Sequence, residues 1–186
     1  SKLKEHGITV VHVVSSSKFA LKAQEAGCDA VVAEGFEAGG HNGREETTSM
    51  VLIPAVKKAI HIPLIAAGGI ATGRQMLAAM VLGAEAVQVG SRYVASNEAS
   101  SHLNFKQAVI NTNEGDTVLT LKQLAPVRLI KNEFYQQIQE AEQRGASKEE
   151  MQQLLGRARA KRGMFEGNME EGELEIGQVS ALLDEI

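Results

Sequence analysis

Two short stretches of this chain say the same thing twice. Gly27-Cys28-Asp29-Ala30-Val31 is matched by Gly83-Ala84-Glu85-Ala86-Val87: a glycine, a small residue, an acid, then alanine and valine. A glycine in that place can end a helix, because without a Cβ it enters the left-handed region at little cost. The acid then stands just ahead of an apolar run of strand type, as part of an αβ loop, and its expected role is structural. The interval between the copies equals two strand-plus-helix units, which makes the βα unit the element that the fold repeats around one axis.

The rest of the first hundred residues fits that unit. Ile8 to Val14 is a β-branched run, and the serines at 15 to 17 can cap a helix reaching Gly27. Asp29 to Ala33 reads as a buried strand. A glycine-rich loop from Glu34 to Gly43 follows, then apolar residues at helical spacing from Thr48 to Ala59. Pro63 to Ala67 is a strand, Gly68-Gly69 a sharp turn, Thr72 to Leu82 a helix, and Ala86 to Val89 a strand leading into Gly90-Ser91-Arg92. Strands that alternate with helices predict an α/β fold with a parallel sheet and right-handed crossovers.

From about Ser100 the character changes. Glu133 to Arg144 and Ser147 to Arg162 are long polar helical stretches, and Ser147 with Glu150 three residues later is a capping-box pattern. The expected organisation is therefore 1–100 as βα units and 101–186 as a helical extension that packs on them, its charged face solvated.

Composition narrows the function. Of 186 residues 44% are hydrophobic and 23% charged, enough for a core, and the net charge of -4 comes without a basic stretch. With few aromatic residues, that balance excludes nucleic acid as the expected partner and favours a small molecule. The apolar runs are too short to span a bilayer and the first residues do not form a signal peptide, so a cytoplasmic protein with no membrane partner is expected. Cys28 cannot form an internal disulfide and reads as a core residue. His6, His12, His61 and His102 have no acids or cysteines at metal-ligand spacing, and no metal is expected.

Two loops can hold a phosphate. Gly68-Gly69 stands where the chain leaves a strand and enters a helix, and N–H groups at a helix start favour an anion. One βα unit later, Gly90-Ser91-Arg92 offers further N–H groups, a hydroxyl and a guanidinium. In (β/α)8 barrels a phosphate commonly lies between the loops after strands 7 and 8, which would number these strands 7 and 8 and leave the first half of the barrel outside this sequence. The loop Ala33-Glu34-Gly35-Phe36-Glu37-Ala38-Gly39-Gly40-His41-Asn42-Gly43 is too glycine-rich to be built for packing, and loops of this kind carry function. His41, flanked by glycines that let a flat ligand approach, is the acid/base candidate, since imidazole exchanges protons near neutral pH.

Glu-Ala-Gly-Gly-His-Asn-Gly, then Ala-Ala-Gly-Gly-Ile, then Gln-Val-Gly-Ser-Arg-Tyr resembles the nitronate monooxygenase (2-nitropropane dioxygenase) family and its relative, the FMN-dependent enoyl-acyl-carrier-protein reductase II. The resemblance extends to Gly177-Gln178. It implies the C-terminal half of a TIM (β/α)8 barrel that binds FMN. Carried over by position, Gly39, Gly68, Gly69, Gln88, Val89, Gly90 and Ser91 would touch the flavin or its phosphate, with Gly40 beside them; Glu34 would sit near the ring and His41 would be catalytic. Ser91 stands where threonine is frequent in the family.

The resemblance implies nitronate oxidation with oxygen. The alternative is reduction of an enoyl thioester with NAD(P)H as co-substrate, toward which Ala-Glu-Gly at 33 to 35 leans. Barrels of the inosine monophosphate dehydrogenase type share the Gly-Gly-Ile and Gly-Ser pattern but need a nucleophilic cysteine in an active-site loop, and Cys28 precedes a strand at the other end. A phosphate-binding fragment without turnover is the non-enzyme alternative. Four βα units leave two sheet edges, so a homo-oligomer, or a longer barrel, is expected to cover them.

Overall fold

The computed structural model describes residues 2–186. The chain divides into two compact units, Ser1–Ala38 with Asn42–Val89, and Gly39–His41 with Gly90–Ile186.

The first unit runs α1 (Lys2–Glu5), β1 (Val11–Val14), α2 (Ser17–Glu25), β2 (Ala30–Glu34), then, after the excursion that carries β3 (Gly40–His41) into the second unit, α3 (Ser49–Ala59), β4 (Leu64–Ala67), α4 (Gly73–Val81) and β5 (Ala86–Gln88). The four strands form one sheet in the order β1-β2-β4-β5, every pair parallel. The expected α/β class and parallel sheet are what the chain adopts. Ser16 caps α2 by accepting from the Phe19 N–H, and Thr72 with Gln75 forms a full capping box on α4. Val31, Ala33, Leu64 and Ala66 of the central strands pack with Leu52, Ile53 and Val56 of α3. Cys28 packs partly buried against this core.

The sequence repeat has a structural meaning. Gly27 and Gly83 take φ of +82° and +111°. Asp29 accepts from the Val10 N–H at 2.7 Å while its own N–H donates to the Val10 carbonyl at 2.8 Å. Glu85 does the same to Leu64, at 2.7 and 2.9 Å. Lys4 pairs with Asp29 and Lys57 with Glu85. These bonds hold both carboxyls below the ordinary carboxylate range. Each acid thus ties one strand start to its neighbour, the structural role expected of it.

The second unit holds α5 (Ser91–Val94), α6 (Leu103–Ile110), β6 (Thr117–Thr120), β7 (Val127–Ile130), α7 (Glu133–Gln143), α8 (Lys148–Leu155), α9 (Arg159–Met164) and a 3-10 turn at Gln178–Leu182. Beside the helices of the extension expected at 101–186, β6 and β7 form an antiparallel sheet with β3, in the order β3-β7-β6, which the sequence reading does not anticipate. Arg128 hides the strand: a charge interrupts the apolar run of Val127 to Ile130, but its side chain is 1% exposed. The stretch 147–162 is also two helices rather than one. Gly156 and Ala158 take positive φ, and the Arg159 guanidinium donates to the Leu154 and Leu155 carbonyls that α8 leaves open. The Ser147–Glu150 capping box is present. Leu121, Val127, Leu129, Phe134, Ile138 and Met151 make this unit's core. Among the described residues no helix is long and apolar enough to cross a membrane.

Candidate functional site

In the first unit the site residues gather at the C-terminal ends of the strands. Glu34 is in register with Ala67, and Ala67 with Gln88, so the three side chains form one row across β2, β4 and β5. Burial pushes the Glu34 carboxyl up from its ordinary value. It borders a narrow hollow with Ser15, Phe36, Asn42, Gly43 and Thr47. Gly68 and Gly69 both have positive φ, as a sharp strand-to-helix turn requires. A Cβ at Gly68 would come within 2.8 Å of the Gly35 carbonyl, so this glycine also lets two loops touch. The N–H groups of Gly69 and Ile70 donate to no acceptor among the described residues, whereas those of Ala71 and Thr72 are taken by the Gln75 side chain.

Glu37, which the sequence did not single out, anchors the glycine-rich loop. Its carboxylate accepts from the Ser49 N–H and hydroxyl, capping α3 where the Thr48 side chain does not. Acids at a helix start are favoured by the dipole, but a partner twelve residues away leaves no local pattern to find.

In the second unit, His41 is exposed and pairs with Val127 across β3 and β7. Gly39 is fixed by packing: a Cβ there would meet the Ile176 carbonyl carbon at 2.4 Å and the Gly177 nitrogen at 2.5 Å. The same Gly177 N–H donates to the Ser91 hydroxyl at 3.1 Å. Gly177 therefore links Gly39 and Ser91, two positions singled out separately from the sequence. The N–H groups of Ser91 and Arg92 have no acceptor among the described residues, and Gly90 has open space around its missing Cβ. The Arg92 guanidinium is engaged with Glu185.

Two acids beside this region escaped the sequence reading. Glu173 and Glu175 alternate with Leu174 and Ile176, a pattern that normally turns acids toward water, yet Glu173 is 7% exposed. Burial, with Glu175 adding repulsion and Arg159 opposing, pushes the Glu173 carboxyl up to about 7. Burial also raises Glu175, and His41 opposes that rise.

The sequence profile of the nitronate monooxygenase family matches residues 1–186. The chain belongs to that family. It is 41% identical over 149 residues, 75% of this chain, to a probable nitronate monooxygenase of Staphylococcus saprophyticus, and covers 42% of that protein. FabK from Thermotoga maritima has a similar structure, with a TM-score of 0.93 and 43% identity, over 100% of this chain and 58% of that one. A nitroalkane oxidase from Streptomyces ansochromogenes follows with a TM-score of 0.81 and 27% identity, over 99% of this chain and 55% of its own. The chain thus spans about half the length of the relatives it matches, and its parallel βα units are those of half a TIM barrel. Nitronate monooxygenase family members are oxidoreductases and, in general, flavoproteins.

Proposed function

We propose that this chain is part of an FMN-dependent oxidoreductase in which His41 is the acid/base group and a nitronate is the substrate, oxidised with oxygen. The observation that carries the reading is the setting of His41: an exposed imidazole on a short strand, held in register by Val127 and preceded by two glycines. That leaves an imidazole free to exchange a proton while its backbone stays fixed.

Each unit, taken by itself, offers donors suited to a phosphate. Gly69 and Ile70 offer uncommitted N–H groups after a strand, and Ser91 accepts from Gly177 through its oxygen, which leaves its own proton free to donate. The proposed flavin contacts are those the motifs name: Glu34, Gly39, Gly40, Gly68, Gly69, Gln88, Val89, Gly90 and Ser91. Gly39 is packed on the 176–177 backbone, so its part in this list is to admit that segment. FMN when bound would supply the electron acceptor. The chain's own share is to orient it and to hold or move a proton at His41 next to the nitro group.

A second reading, reduction of an enoyl thioester with NAD(P)H, is supported by the greater likeness to FabK than to the nitroalkane oxidase, 43% against 27% identity over nearly the whole chain. One preparation of the full-length protein tests both. Flavin absorbance is expected, together with oxygen-dependent loss of a nitronate; NAD(P)H-dependent loss of an enoyl thioester instead would select the reductase, and a colourless preparation without either activity would sink the proposal. Among the described residues β1 and β5 are open sheet edges and Val11 and Val13 of β1 are exposed, so either the further strands of a longer barrel or a homo-oligomer is proposed to cover them. Light scattering that found the 186-residue chain a stable monomer with both edges bare would exclude this.

A further inference from the structure

We propose that Lys106 is a positioning residue for Ser91: its buried ammonium stands as a built-in cation in a cage of backbone carbonyls, and so fixes the segment that sets the Ser91 hydroxyl. The inference rests on the reading of Ser91 as a donor to the flavin phosphate.

Lys106 lies on the buried face of α6 with Phe105 and Val109, and it is 6% exposed. An ammonium has three protons to donate and nothing to accept with, so its burial is tolerated only where those protons find acceptors. Three acceptors are present. Nζ donates to the carbonyls of Ser96, Asn97 and Ala99 at 2.6, 3.3 and 2.8 Å. No carboxylate pairs with Lys106 among the described residues, and Glu98, in the same loop, is exposed. A loop that turns three carbonyls toward one point and leaves its acid in solvent is shaped around a cation, not around a salt bridge. Without that charge the carbonyls would converge with no donor between them, and each acceptor left unpaired carries a cost.

The cage follows α5 directly. The Ser96 N–H donates to the Tyr93 carbonyl, the Ala99 N–H to the Ser96 carbonyl, and the Ser101 hydroxyl to the Val94 carbonyl at 3.0 Å. The end of α5 is thus tied to the loop that Lys106 gathers. Because α5 starts at Ser91 and is a single turn, whatever holds its end also sets its start, and the Ala95 N–H reaches the Ser91 carbonyl at 3.4 Å. One turn makes too few bonds to hold its own shape. The Ser91 hydroxyl accepts from the Gly177 N–H, which leaves its proton to donate. Lys106 therefore supplies a constraint that α5 lacks by itself.

The experiment titrates the deflavinated full-length protein with FMN and with riboflavin, which differ only by the phosphate. In Lys106→Met the Kd for FMN should rise on the order of 10-fold or more, as when the support of a binding group is removed, while the Kd for riboflavin stays unchanged. Ammonium or methylammonium chloride should restore FMN affinity in Lys106→Ala, and tetramethylammonium chloride at equal ionic strength should not, since it has no proton to donate to the cage. An unchanged FMN affinity in Lys106→Met, or equal weakening of both flavins, overturns the proposal. Ser91→Ala separates it from the reading beneath it. If that variant still prefers FMN to riboflavin as the wild type does, the phosphate reading of Ser91 fails and the positioning role with it; if it loses the preference while Lys106→Met keeps it, only the role of Lys106 fails. The wild type gives a measurement that needs no variant to fold. By NMR, the Lys106 ammonium protons should exchange with water more slowly than those of exposed lysines, and FMN should slow them further where riboflavin does not. Rapid exchange, or one response to both flavins, overturns the proposal.

Discussion

The Gly177 backbone N–H donates to the Ser91 hydroxyl at 3.1 Å, joining residues 86 positions apart in a buried bond. Removing that acceptor in Ser91→Ala leaves a buried N–H without a partner. A loss of about 1–3 kcal/mol is expected, the cost of such a group. Urea unfolding of the variant checks it. A stability equal to wild type would mean that water replaces the hydroxyl.

Gly39 and Gly73 should respond oppositely to alanine. At Gly39 the new methyl would meet backbone atoms of Ile176 and Gly177 at 2.4 and 2.5 Å, and backbone cannot swing aside as a side chain can. Gly39→Ala is expected to cost about 1–3 kcal/mol or more, in the range of overpacking. Gly73 opens α4 with nothing within 4 Å and without positive φ. Gly73→Ala should stabilise by about 0.4–1 kcal/mol, by restricting the unfolded chain. Thermal melts of the two variants side by side decide the point.

For His41→Ala in the flavin-loaded full-length protein, turnover should fall on the order of 100-fold to 10,000-fold, the contribution of a positioned acid or base. Bound flavin should persist. Stopped assays with a nitronate and with an enoyl thioester, each on wild type and variant, provide the comparison; near-wild-type rates would remove His41 from the chemistry.

Glu173 gives stability a pH dependence. Its ordinary value is 4.5 and burial raises it to about 7 in the folded chain. Below pH 4.5 the carboxyl is neutral folded and unfolded, and the group adds no pH dependence. Between 4.5 and about 7 the unfolded chain releases the proton while the folded chain keeps it, so stability falls as pH rises through this window and levels off above it. Glu175, also raised by burial, acts in the same direction. Glu173→Gln should flatten the dependence and melt higher than wild type at pH 8. Melting curves at pH 5 and pH 8 that keep the wild-type difference in the variant would contradict this.

The sequence by itself determined what local chemistry controls. Helix starts were legible at Ser16, Thr72 and Ser147 because a cap and its N–H lie within three residues. The central parallel strands β2 and β4 were legible because a strand buried on both faces must be an unbroken apolar run. The glycines at 68 and 69 announced a turn that other residues resist. Tertiary structure alone decided what depends on partners far along the chain. Arg128 reads as a surface charge until its burial in β7 is seen, and Glu173 and Glu175 read as solvent-facing until the segment is paired with β7. Ser91 meets Gly177 and Glu37 caps a helix twelve residues on, each through a partner brought in by the fold. The physical reason is that periodicity records which side of an element faces the core, whereas a polar group's burial and its partner are set by which elements fold against it, and no period in the chain encodes that.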